Sequence, residues 1–298
     1  MGDDSRVNER LLPTPQGGDL SVTDFGGDGP DVLFMHHIGF GPLQWQRTID
    51  ALQGRVRAIA PALRGHGRST AAPLRGAAGY ADVLLVAQEL ELRRPVIVAA
   101  GTLSAAYAIA AAITEPDRFA GIVTINGTFS KSIEQARASV ELVTSSEMRQ
   151  YIRDRFHVDE TCATQQELGE HVSSKRAALH SDWAIPEDID LLDEIIAGLR
   201  IVPGGMSTSP TTDTVQTLYS FDFGAPYFPD RRLYDASPVP LYVIQGTESW
   251  DDHGDSLEFE IARSTPPIEV IDLEAGQFPM YTHADQLAEH VLRTLALV

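Results

Sequence analysis

Apolar residues along this chain fall into short unbroken runs, separated by stretches in which they recur every three or four positions. A short unbroken run suits a strand buried on both faces, and the longer repeat suits a helix with one packed face. "ERLLPTPQGGDLSVTDFG" predicts two short strands around a Gly-Gly-Asp turn, with alternation in "LSVTDF". "PDVLFMHH", "VRAIAP", "PVIVAAG" and "FAGIVTIN" predict four further strands. Between them, "PLQWQRTIDAL", "GYADVLLVAQELEL" and "TLSAAYAIAAAITEP" carry helical spacing, the last ending near Pro116. Strands alternating with helices imply a mostly parallel sheet covered on both faces, an α/β class.

The rhythm changes between about Thr128 and Ser237. "SIEQARASVELV", "SSEMRQYIRDRF", "TQQELGEHVSSKRAALH" and "EDIDLLDEIIAGLRIV" read as amphipathic helices, and "PGGMSTSPTTDT" reads as a loop. After Pro238 the alternation resumes: strand "PVPLYVIQG", helix "DSLEFEIARS", strand "PPIEVIDL" and a closing helix "ADQLAEHVLRTLAL". The expected organisation is a core of residues 1–127 and 238–298, interrupted by a helical cap at 128–237.

Composition narrows the function classes. The net charge of -19 and sequence pI near 4.7 argue against nucleic acid or an anionic membrane as partner. The single cysteine, Cys162, rules out an internal disulfide and a cysteine-based metal cluster. "MGDDSRVNER" has no apolar core of a signal peptide, so a cytoplasmic location is expected. The uncharged run from Val96 to Ile113 is long enough for a membrane span, but Gly101, Thr102 and Ser104 break it, and a strand followed by a helix explains it better. A small-molecule substrate or ligand is expected, with no cofactor and no metal; a homodimer is left open.

Five stretches, in order, resemble the α/β-hydrolase superfamily. "VLFMHHIGFGPLQW" is similar to its strand and oxyanion loop, and "APALRGHGRS" to its "PDLRGHGRS" loop, with Ala62 in place of Asp. "VIVAAGTLSAAYAIAAAITEPDRF" resembles the nucleophile elbow and its helix. "VPLYVIQGTES" and "EAGQFPMYTHADQLAEHV" resemble the segments that carry the triad acid and histidine. The resemblance covers nearly the whole chain outside the cap. It implies an eight-stranded, mostly parallel sheet flanked by helices, with the cap inserted after the sixth strand.

The resemblance carries the shape of the site over better than its chemistry. The family's nucleophile stands 14 residues before the Pro of its "HPERV" turn, which implies Thr102 here; a second register implies Ser104. The "G-x-G-H-F" position of the base holds Gln277, whose amide cannot take a proton near neutral pH. The acid position holds Ser249, with Glu248 one residue short of it and Asp251 and Asp252 beyond. The oxyanion donors implied are the N–H groups of Ile38 and Leu103. His37 replaces the usual Gly beside His36; it either acts as acid, base or hydrogen-bond donor, or points to solvent while His36 packs under the loop. His283 and His290 are expected to be structural.

Aromatic residues of the cap, Trp183, Tyr219, Phe221, Phe223, Tyr227 and Phe228, together with Met206, imply a ligand with apolar or aromatic surface. The stretch "FDFGAPYF" is expected to face the pocket. Three functions stay open on this basis. The first is a non-hydrolytic enzyme of specialised metabolism, performing cyclisation, elimination, isomerisation or C–C bond chemistry. The second is a receptor-like binding protein. The third is a weak ester or lactone hydrolase using Thr102 or Ser104.

Overall fold

The computed structural model describes residues 8–127, 133–181, 185–222, 227–249 and 268–298. The expected helix at "DSLEFEIARS", and Trp183, Phe223, Asp251 and Asp252, lie outside these residues.

The sheet has eight strands: β1 (Asn8–Pro13), β2 (Asp19–Gly26), β3 (Asp31–Met35), β4 (Arg57–Pro61), β5 (Val96–Ala100), β6 (Gly121–Ile125), β10 (Leu241–Gly246) and β11 (Ile268–Leu273). Their order across the sheet is β1-β2-β4-β3-β5-β6-β10-β11. β1 pairs antiparallel with β2 and β2 antiparallel with β4; every later pairing is parallel. The apolar runs were diagnostic because neighbouring side chains enter opposite layers. On β3, Leu33 and Met35 join one core while Val32 and Phe34 join the other. β5 repeats the division, with Ile97 and Ala99 on one face and Val96, Val98 and Ala100 on the other.

Helices α1 (Gln46–Leu52) and the C-terminal helix (Ala284–Leu297) pack together on one face of the sheet, and α2 (Tyr80–Glu89) and α3 (Gly101–Thr114) pack together on the other. The uncharged run that could have suited a membrane is thus β5 and most of α3. No helix among the described residues is long and apolar enough to cross a membrane. α3 is alanine-rich because it is buried on nearly every side: Ala105, Ala106, Ala108 and Ala110 through Ala112 are fully enclosed.

The region between β6 and β10 contains helices α4 (Ile133–Val143), α5 (Ser146–Phe156), α6 (Gln165–Ser181), α7 (Leu192–Ala197), α8 (Thr212–Leu218) and α9 (Arg231–Asp235). It also contains three short strands, β7 (Thr161–Cys162), β8 (Leu199–Val202) and β9 (Gly205–Thr208), in a small antiparallel sheet of order β7-β9-β8. An all-helical cap is therefore corrected. The expected helix "EDIDLLDEIIAGLRIV" stops at Ala197 and gives way to β8, and the expected loop "PGGMST" is the turn and second strand of a hairpin. Gly204 and Gly205 take φ values of +92° and +155°, which open that turn.

Candidate active site

The strand-to-helix turn after β5 is the family's elbow in outline, and its left-handed residue is Gly101, with φ +75°. Thr102 follows as the second residue of α3, so the expectation of Thr102 at the strained position is one residue late. Glycine is required there for space as well as conformation. A Cβ on Gly101 would lie 2.4 Å from Cδ2 and 3.0 Å from Nε2 of His37. The imidazole of His37 thus fills the volume that a side chain at the turn would occupy.

His37 is fixed from several sides. Its backbone N–H donates to Oε1 of buried Gln44 at 2.8 Å. Its Nδ1 lies 2.8 Å from the Ile38 carbonyl, which can only accept, so the neutral ring carries its proton on Nδ1 and its basic lone pair on Nε2. The rings of Phe40 and Phe278 stand edge-on to it, at 5.8 and 5.3 Å between centroids.

His36 has the structural role. It is fully buried, accepts the Leu63 N–H on Nε2 at 2.9 Å and directs Nδ1 to the His37 carbonyl at 2.8 Å. His66 of the "RGHGRS" loop accepts the Gly39 N–H at 3.0 Å. Burial lowers the pKa of His36 to about 4 and that of His66 well below the usual range, so both rings are neutral acceptors that hold the oxyanion loop. Arg64 anchors the same segment through a bidentate pair with Asp82, both contacts at 2.8 Å.

A cavity of about 250 Å³ opens at this point. His37, Ile38, Thr102, Asn126 and Gln277 form its floor, so the structure brings together five residues from four separate segments. Among the described residues the Ile38 N–H makes no hydrogen bond. α3 begins without a side-chain cap, and its first N–H groups have no acceptor within the helix. Leu103 supplies one of these while its side chain is buried in the core. Gln277 is 9% exposed, and its Oε1 is buried with no hydrogen-bond partner among the described residues.

Other expected site residues stand elsewhere. Ser104 is buried and donates its hydroxyl to the His36 carbonyl at 2.6 Å, which removes it from the cavity and ties α3 to the oxyanion loop. Ser249 and Glu248 sit in the turn after β10, bonded through their N–H groups to Gly246 and Ala275, and neither lines the cavity. His283 precedes the C-terminal helix and His290 lies inside it, away from the cavity.

Asn126 was not anticipated. Its left-handed backbone, φ +47°, ends β6. Its amide donates to the carbonyls of Gly276 and Gln277 at 3.2 and 2.9 Å and accepts the Gly246 N–H at 2.7 Å. The Gln277 loop is therefore tied to the ends of β6 and β10. An Asn-Gly pair directly after a strand was the available signal, since Asn tolerates positive φ.

The cap wall differs from expectation. Met148, Tyr151, Ile152, Arg155 and Phe156 line the cavity from one face of α5, at the spacing of a single helical stripe. Phe156 lies against Gly39, where a Cβ would come within 2.4 Å of its ring. Tyr219 also lines the cavity, as expected. Phe221 and Phe228 are instead buried against each other, and Tyr227 packs on Tyr80, so the described part of "FDFGAPYF" closes the cap onto the core. Met206 is half-buried on β9, outside the cavity.

A fold of this topology, with an elbow glycine and an oxyanion loop on adjoining parallel strands, has clear relatives. Residues 32–290 match the model of the alpha/beta hydrolase family, and the chain belongs to that family. An epoxide hydrolase of Caballeronia sordidicola is 33% identical over 118 residues, a match spanning 37% of this chain and 34% of that protein. Among solved structures, E-2-(acetamidomethylene)succinate hydrolase superposes with a TM-score of 0.73 at 18% identity, covering 97% of this chain and 99% of the other. The thioesterase domain of a curacin biosynthetic pathway gives 0.70 at 19% identity, covering 96% and 99%. The enol-lactonase of Burkholderia xenovorans LB400 gives 0.66 at 16% identity, covering 96% and 100%. At these identities the structural likeness establishes the fold.

Proposed function

We propose that this protein is an enzyme that acts on a small apolar or aromatic carbonyl compound by moving protons, without forming an acyl-enzyme. The observation that carries this reading is the His37 ring standing in the space of the elbow side chain, over Gly101. An acyl-enzyme needs a nucleophile on the turn and a base beside it. Here the turn's strained residue has no side chain, and the base position holds an amide.

What the site supplies is an imidazole next to oxyanion donors. His37 Nε2 takes a proton from the carbon beside the substrate carbonyl. The C–H electron pair becomes a C=C bond, and the carbonyl π electrons move onto oxygen. The Ile38 N–H and the first N–H groups of α3 meet that negative charge as it develops. The imidazolium then returns its proton, to another carbon for an isomerisation or to a departing group for an elimination. A carbon electrophile in place of that proton gives cyclisation or C–C bond formation, and His37 then sheds its proton to solvent. Gln277 hydrogen-bonds the substrate and fixes its orientation.

The test is solvent-deuterium exchange at the α-carbon of an enolisable aryl ketone. His37→Asn is expected to remove it and Thr102→Val to leave it. A binding protein would return the ketone unexchanged.

A further inference from the structure

The cavity floor collects hydrogen-bond donors from separate segments. The Ile38 N–H comes from the loop after β3, and the first N–H groups of α3 come from the turn after β5. Acidic residues outnumber Lys and Arg by 42 to 23 in the chain, yet none of the described residues lining the cavity is Asp or Glu. Gln277 enters the floor from a third segment, the loop after β11. Its backbone is pinned by Asn126, whose amide donates to the Gly276 and Gln277 carbonyls at 3.2 and 2.9 Å and accepts the Gly246 N–H at 2.7 Å. Those bonds use both N–H groups of Asn126, whereas the side-chain amide of Gln277 bonds to none of the described residues. Oε1 is the enclosed end of that amide, so the NH2 end is the one presented to the cavity. Turning the amide over would enclose two unpartnered N–H groups in place of one carbonyl oxygen, which is the costlier arrangement.

We propose that Gln277 is a catalytic residue, its Nε2 donating a hydrogen bond to the substrate carbonyl oxygen as that oxygen becomes an enolate, beside the Ile38 N–H and the start of α3. This rests on the proton-transfer reading of the cavity given above and adds a side-chain donor to its backbone donors. No bond to Gln277 forms or breaks. The electron pair released from the C–H bond ends on the oxygen, and Gln277 keeps both of its protons. The oxygen carries more charge in the transition state than in the ketone, so the bond strengthens where it lowers the barrier. An amide suits this task because it donates a hydrogen bond without exchanging charge with the oxygen near neutral pH.

Two readouts test it, one of them independent of turnover. 2-Naphthol carries a single oxygen on an apolar body, and its absorbance separates naphthol from naphtholate. Bound to the protein, it is expected to ionise at lower pH than in buffer. Gln277→Met keeps the side chain's length and removes the donor; it is expected to raise the bound midpoint by about one pH unit, a tenfold loss in the ratio of naphtholate to naphthol. Gln277→Glu, which sets a carboxylate in the donor's place, is expected to raise it further. In solvent-deuterium exchange of an enolisable aryl ketone, Gln277→Met should lower kcat at least about tenfold with KM within about threefold. Far-UV circular dichroism of both variants shows whether the fold is kept. A bound midpoint that neither variant moves, or an exchange defect confined to KM, overturns the proposal. A midpoint that follows Gln277 in a protein that catalyses no exchange supports the donor and overturns the proton-transfer reading alone. Failure of 2-naphthol to bind overturns both.

Discussion

Placing a side chain on Gly101 probes the elbow directly. An L-residue held at φ +75° costs about 1–2 kcal/mol. The new Cβ would also stand 2.4 Å from the His37 ring. That ring cannot swing away cheaply, since its Nδ1 is bonded to the Ile38 carbonyl and Phe40 and Phe278 flank it. Overpacking of this kind costs about 1–3 kcal/mol, so Gly101→Ala is expected to destabilise the protein by about 2–5 kcal/mol. His37→Gly removes the ring and with it the steric part, leaving the backbone part. The double variant should therefore be more stable than the sum of the single effects by about 2 kcal/mol, which is about 30-fold in the unfolding constant. Urea denaturation of the four proteins of the cycle measures this. Additivity within about 0.5 kcal/mol would mean that His37 does not occupy the space above Gly101, and the reasoning would fall.

Other consequences are open to measurement. His36 and His66 have folded pKa values below the unfolded value near 6.5, so their neutral forms favour the fold. Their stability is complete above pH 6.5 and is lost as the pH falls toward 4, by about 2 kcal/mol for His36 at pH 4.5. Glu194, pushed up to about 7 by burial, works the opposite way, so the histidine part is read as the shallower pH slope of His36→Asn in urea midpoints. Rebuilding the nominal triad with Thr102→Ser, Ser249→Asp and Gln277→His is expected to give no gain in p-nitrophenyl ester hydrolysis. Position 249 does not line the cavity and position 102 follows the strained residue, so a tenfold gain would restore the hydrolase reading.

The sheet was legible because buried parallel strands leave unbroken apolar runs, and β3, β5 and β6 stand within a residue or two of their expected ends. The elbow was located by its small residues, and Gln277 by the loop around it. The one-residue register of the turn was hidden for a physical reason. A glycine beside a threonine satisfies a count of small residues in either register, and the distinction lies in which residue takes positive φ and what sits above it. The β8–β9 hairpin was missed because its strands are short and half-exposed and its turn is glycine-rich, so it carries little apolar pattern. The α5 stripe of Met148, Ile152 and Arg155 was visible as an amphipathic face. That it faces a cavity follows only from the cap's position over Gly39. Asn126 acts through contacts with residues about 120 and 150 positions away, beyond the reach of local pattern.

Proton NMR of phenylpyruvate in deuterium oxide is the most direct measure of whether His37 moves protons in this cavity. The probe carries an aryl ring and an exchangeable carbon beside its carbonyl. The protein is expected to accelerate loss of that carbon's proton signal over buffer. His37→Asn should lower the accelerated rate by at least about 100-fold, in keeping with the usual worth of a general base. Thr102→Val should stay within about threefold of the unsubstituted protein, since Thr102 takes no proton from the substrate. Exchange unaffected by His37→Asn, or abolished by Thr102→Val alone, would contradict the assignment.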